Sequence, residues 1–138
     1  LIGVGRLEAD ALPFAGITAG RVIPVHAAGR AELAWAAYGS DGETLVELRE
    51  PGLTPLAELP PLLRDGDVVV TDFATLPPAL RESLAARQVQ LVPTVLSRVV
   101  AVGRIGLQRF AAGQSDDADA LAPMYLRAPA IGPQPPRD

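Results

Sequence analysis

Arg21-Val22-Ile23-Pro24-Val25-His26 and Glu32-Leu33-Ala34-Trp35-Ala36-Ala37-Tyr38 are two short apolar runs on either side of the turn-sized stretch Ala27-Ala28-Gly29-Arg30. Runs of this length read as strands, and a connection this short pairs them antiparallel as a hairpin. The Ser40-Asp41-Gly42 turn then leads into Glu43 to Leu48, where Thr44, Val46 and Leu48 alternate against Glu43, Leu45 and Glu47. Such alternation is that of a half-exposed strand. The expectation is a three-stranded antiparallel meander.

Downstream, the pattern changes period. Thr54 can cap a helix whose first position is Pro55, with Glu58 as a capping-box partner and Leu56, Leu59 and Leu63 on one face. Asp65-Gly66 turns into Asp67-Val68-Val69-Val70-Thr71, a β-branched run of the kind buried on both faces of a parallel strand. Pro78 to Arg87 predicts an amphipathic helix through Leu80, Leu84 and Ala85, and Val89 to Val92 a further strand. From Thr94 to Ala112 runs the longest predicted helix, with Leu96, Val99, Val100, Gly103, Leu107 and Phe110 as its apolar stripe.

Upstream, Leu1-Ile2-Gly3-Val4 resembles the end of a buried strand. Arg6 to Leu12 predicts a helix with Leu7, Ala11 and Leu12 inward and Glu8 and Asp10 outward, ended by Pro13 and Gly16. At the other end, Ser115 to Asp119 reads as a solvated acidic loop and Met124-Tyr125-Leu126-Arg127 as a short edge strand. Residues 129–138, with Pro129, Pro133, Pro135 and Pro136, read as an extended, disordered tail. Residues 1–128 are expected to form one lobe.

Composition narrows the chemistry. The 138 residues are 49% hydrophobic but only 4% aromatic, so the core must be built from Ala, Leu, Val and Ile in packed layers. All 12 basic residues are Arg, which excludes Schiff-base lysines and a phosphate-loop lysine. A net charge of −4 and a pI near 4.9 argue against direct nucleic-acid binding by this chain, since grip on nucleic-acid phosphates needs a basic footprint. With no cysteine and one histidine, neither a thiolate nucleophile nor a His-based metal cluster can form. No run of about 18 apolar residues spans a membrane, and a cytoplasmic setting is expected.

The order of elements, a meander followed by parallel strands with crossover helices, predicts an α/β domain of ribonuclease H-like, actin-like (ASKHA) half-domain type. Within that frame, Leu1-Ile2-Gly3-Val4 and Leu7, Arg21-Val22-Ile23, Glu32 to Tyr38 and the closing Pro123-Met124-Tyr125-Leu126-Arg127 have the order and spacing of motifs of the TsaB (YeaZ) family. They resemble its I-G-V-S-x-L, its R-V-L-A-x-I-D-A-R-x-G-E-V-Y-W-A-x-Y and its P-x-Y-L-R. Its amino-terminal A-I-D-T-S and G-P-G-S-F-T-G-x-R segments do not occur, so the chain resembles the family's carboxy-terminal lobe alone. Its D-A-R stretch reads Ala27-Ala28-Gly29 here, with Arg30 one place on.

The resemblance implies a noncatalytic scaffold in synthesis of threonylcarbamoyladenosine on tRNA. The partners would be a TsaD-type protein, which carries the metal and performs the transfer, and a TsaE-type ATPase, with a homodimer of the parent as a further association. It marks Glu32, Trp35, Tyr38, Tyr125 and Arg127 as residues of interface or structural role. No catalytic residue, metal ligand or cofactor is implied. Two rival classes are a glycoprotease-like hydrolase of the M22 peptidase type and the ligand-binding lobe of a sugar or acetate kinase relative. The first would need paired histidines, as in H-x-x-x-H, which His26 alone cannot supply.

Other candidates read as structural. Asp72 follows the valine run, where α/β proteins place ligand carboxylates, but it has no second carboxylate at useful spacing and reads as a loop cap. His26 reads as a satisfied structural histidine, since Ser40 and Asp41 are near it only in sequence. Asp116, Asp117 and Asp119 lack the glycine and terminal glutamate of a calcium loop. Trp35 and Tyr38, three apart on a strand, face opposite sides, so at least one is core and the other could mark an interface. Tyr125 and Arg127 share a face and would dock the edge strand or, as the alternative, touch a partner.

Overall fold

A computed structural model of the chain describes residues 1–42, 44–94 and 98–126. The hairpin is present as expected: β1 (Val22–Ala27) pairs antiparallel with β2 (Glu32–Asp41), with Val25 opposite Trp35 and Ala27 opposite Leu33. β3 (Thr44–Pro55) pairs antiparallel with β2 from Asp41↔Thr44 to Glu32↔Pro55, completing the meander. β3 is longer than expected. The ten-residue β2 offers ladder partners beyond Leu48, and register shifts around Ala37 let Pro51 and Gly52 pass without ending the strand. Thr54 therefore caps no helix and lies buried inside β3. The segment after it is a 3-10 turn, Leu56–Glu58, and a single α-turn, α2 (Leu59–Leu62).

β4 (Val68–Thr71) is buried along its whole length, as the valine run predicts. It lies parallel to β1 on one side and to β5 (Gln90–Pro93) on the other, with α3 (Pro78–Ala85) as the crossover between β4 and β5. The result is a mixed five-stranded sheet of order β3-β2-β1-β4-β5 within an α/β architecture.

Alternation along the strands divides the core in two. On one face Ile23, Val25, Leu33, Trp35 and Val69 meet Leu59 of α2 and Leu80 and Leu84 of α3. Each of these leucines contributes about 1.5–3 kcal/mol by leaving water. Ala85, expected on the same stripe, is exposed. On the other face Val22, Ala36, Tyr38, Val68 and Val70 meet Leu7 and Ala11 of α1 (Arg6–Ala11), which continues as a 3-10 turn, Leu12–Phe14.

α4 (Arg98–Ala111) forms a further layer on α1 and overturns the predicted stripe. Ala101 and Ile105 seat against Ala9 and Leu12, while Val99 is 84% and Phe110 72% exposed and Val100 and Leu107 also face solvent. Leu96 lies outside the described residues. The helix is turned by charge. Arg98, Ala101, Ile105 and Arg109 follow one another at spacings of three and four and so share one face. Arg98 binds Asp10 and Arg109 binds Glu8, which fixes that face, rather than the more apolar one, on α1.

Two further expectations fail, since neither terminal segment joins the sheet. Leu1 to Val4 is irregular and held by the opposite end of the chain: the Asp116 amide donates to the Leu1 carbonyl, the Gly3 amide to the Asp116 carboxylate, and the Arg109 guanidinium to the Gly3 carbonyl. Met124 to Leu126 likewise joins no sheet. The Pro-rich residues 129–138 lie outside the described part. Among the described residues no helix is long and apolar enough to cross a membrane.

Gly20, at the entry to β1, is a site of close backbone approach. A Cβ there would stand 1.9 Å from the Gly66 carbonyl oxygen, which cannot swing aside as a side chain can. Gly20→Ala should cost about 1–3 kcal/mol, read as a lowered urea midpoint in circular dichroism. An unchanged midpoint would mean that the β1 entry is not packed against the Gly66 turn.

Candidate functional site

Two polar assemblies sit on the α1 side of the sheet. The first is centred on Asp10, which sequence reasoning placed on the outer side of α1 and which is only 2% exposed. Its Oδ2 accepts from His26 Nε2 at 2.7 Å, and its Oδ1 accepts from Arg98 Nε at 2.7 Å. Burial pushes the Asp10 carboxyl up, but the hydrogen bonds from His26 and Arg98 outweigh burial and hold it below the ordinary aspartate range. His26 is thus a satisfied structural histidine, as expected, with Asp10 rather than Ser40 or Asp41 beside it. An imidazole on a carboxylate is half of a hydrolytic triad. Among the described residues no hydroxyl bonds to His26, so the arrangement braces α1, β1 and α4.

The second assembly is a cavity of about 620 Å³ between the irregular Gly3 to Gly5 segment, β2, β3 and the end of α4. Its polar groups are Glu8, Tyr38, Glu47, Arg109 and Asp116, and Val4, Pro51, Leu121 and Met124 supply an apolar wall. Arg109 is committed within the cavity, its Nη2 donating to both Glu8 oxygens at 2.8 and 2.9 Å. Tyr38 and Glu47 are direct partners across β2 and β3, so their side chains stand on one face of the sheet. Burial, with the Glu8 and Glu47 carboxylates beside it and Arg109 opposing, pushes the Tyr38 phenol well above its ordinary range, so it is a neutral hydroxyl.

With this geometry in place, likeness to known proteins can be weighed. No protein-family model matches the sequence, and no curated protein matches it. Among solved structures, the crystal structure of an uncharacterized protein from Pseudomonas aeruginosa with similarity to peptidase YeaZ superposes with a TM-score of 0.68 at 16% identity. The fold is YeaZ-like. The match covers 90% of this chain but 57% of the Pseudomonas chain, so the protein spans little more than half its neighbour's length. At such identity the likeness concerns fold alone.

The residues marked by motif are distributed unevenly over this YeaZ-like fold. Trp35 and Tyr38 do face opposite sides, but both are buried, and neither is an exposed contact. Trp35 Nε1 donates to Thr54 Oγ1 at 2.8 Å, and the Arg49 guanidinium stacks 3.9 Å from its ring centre. Glu32 is half-buried at the start of β2. Tyr125 is 70% exposed and docks no edge strand, and Arg127 lies outside the described residues.

Among the other candidates, Asp72 does serve its own loop, its Oδ1 accepting from the Ala74 amide at 3.0 Å. In the acidic loop, Asp117 accepts from the Asp119 amide, while Asp116 lines the cavity and binds Gly3. Among the described residues no group of three or more His, Asp or Glu is placed to hold a metal ion. Glu8, Glu47 and Arg109 went unnoticed as site residues. They come from three elements, and only the alternation of β3 hinted that Glu47 shares a face with Leu45.

Proposed function

We propose that the chain is a noncatalytic, ribonuclease H-like carboxy-terminal lobe of a TsaB-type protein, supporting threonylcarbamoylation of a tRNA adenosine in the cytoplasm. The observation that carries this is the YeaZ-like fold over 90% of the chain, with the motif segments Arg21 to Ile23 and Glu32 to Tyr38 leading into β1 and β2 and Leu7 on α1. The meander followed by two parallel strands supports the ribonuclease H-like assignment, since a crossover helix on a mixed sheet is what that lobe requires. A supporting role also suits the chemistry. The one histidine is committed to Asp10, and the polar cavity holds no activated nucleophile among its lining residues.

In this reading a TsaD-type partner performs the transfer and a TsaE-type ATPase completes the assembly, both engaging the full-length parent. The neighbour's description carries the word peptidase, but a zinc hydrolase would need a ligand set that one histidine does not provide. Co-purification of the full-length parent with its TsaD-type protein is the test. Retention of the pair through gel filtration is expected with or without nucleotide, and failure to associate under every nucleotide condition would overturn the reading.

A further inference from the structure

The geometry points to the cavity between β2, β3, α4 and the Gly3 to Gly5 segment as a binding site for an alkyl-linked cation, an ammonium or guanidinium on a methylene stem. The Tyr38 side chain carries the argument. The residue is only 4% exposed and lines this cavity, and among the described residues its hydroxyl has no hydrogen-bond partner. Among the described residues Thr71 Oγ1 is the one side-chain oxygen both fully buried and unpartnered, so the Tyr38 hydroxyl opens into the cavity, where it is available to a ligand or ordered water.

Beside it stands Glu47, its cross-strand partner, whose carboxylate also has no ion pair or hydrogen bond among the described residues. The other charges of the lining are committed within it: Glu8 to Arg109, and Asp116 to the Gly3 amide. Among the described lining residues three carboxylates stand against one guanidinium, and the exposed Glu47 with the Tyr38 oxygen is where no protein group answers that charge. Both can accept from an N–H donor, whereas an anion would meet three carboxylates and, among the described lining residues, no free cation. Leu121, Met124 and Pro51 form a wall against which a methylene stem can lie while its charged head stays with the acceptors.

The chemistry is shared by a free alkylamine and by an arginine or lysine side chain of a partner, and the experiment separates the two. It does not depend on a TsaD-type partner, so its outcome and that of co-purification are independent. The ¹⁵N-labelled chain is titrated at low salt with n-butylguanidinium, n-butylammonium, 1-pentanol as the neutral control, and the blocked peptide acetyl-Gly-Arg-Gly-amide. Amide shifts at Gly3, Gly5 and Glu47 are the readout.

Saturable binding of the cations with Kd on the order of 1 mM is expected, with 1-pentanol much weaker. Tighter binding of the peptide would assign the site to a partner's side chain, and tighter binding of n-butylguanidinium to a free small molecule. Glu47→Gln should weaken the cations at least about tenfold and Tyr38→Phe about threefold, with circular dichroism confirming that both variants remain folded. No saturation at concentrations tenfold above the expected Kd, equal binding of 1-pentanol, or an unchanged Kd in Glu47→Gln would each overturn the proposal.

Discussion

Asp10→Ala is expected to destabilise the fold by about 3 kcal/mol, because it strips a buried carboxylate from two donors that then lose their partner. The lower end of the usual cost for breaking a buried pair applies, since the Arg98 side chain is 40% exposed and can be rehydrated. Urea unfolding at neutral pH measures the loss. The same carboxylate gives acid sensitivity of a definite sign. Its pKa in the fold is held below its ordinary value, so the unfolded chain takes up the proton more readily. Its stabilisation is therefore complete above the ordinary aspartate range and is lost as pH falls through roughly 4 and below. Wild type should lose stability more steeply than Asp10→Asn between roughly pH 5 and pH 2, and parallel curves would refute the assignment.

That cluster shows where sequence reading stops. Leu7, Asp10 and Ala11 lie at helical spacings of three and four, so Asp10 belongs with the buried side of α1 by periodicity alone, and its charge masked this. The need for a partner was readable in principle, but the partner was not: Arg98 lies 88 positions away, and nothing local ties it to α1. The same long-range pair explains the misjudged rotation of α4. Hydrophobic periodicity assumes that the most apolar face is the buried one. Here two ion pairs to α1 hold a face containing Arg98 and Arg109 inward and leave Val99 and Phe110 in water.

What was legible rests on local rules that tertiary structure did not override. The hairpin followed from two apolar runs and a short turn, and β4 from a valine run too short and too β-branched for a helix. The alternation that predicts β3 ends at Leu48, ahead of Pro51 and Gly52, and the irregular register opposite Trp35 and Ala37 accommodates both within the longer strand. The cavity was not legible, because its groups come from α1, β2, β3 and α4 and meet only once the sheet is assembled.

Trp35→Ala is expected to cost about 3–5 kcal/mol, the range for emptying a large aromatic site in a packed core. The ring is nearly inaccessible and packs with Ile23, Val25, Leu33 and Leu59, so its removal leaves a cavity that the rigid sheet cannot close. Thr54→Val separates the polar share of this cost. It is close in shape but leaves the buried indole N–H without its acceptor, and should cost about 1–3 kcal/mol. Chemical denaturation followed by far-UV circular dichroism measures both, since the Trp35 variant loses the chain's one tryptophan fluorophore. If Trp35 were a partner contact, its loss would leave the urea midpoint in place and weaken association instead. The packing predicts the reverse, and so Trp35, in the stretch where the family resemblance is densest, specifies the inside of the sheet rather than a surface for binding.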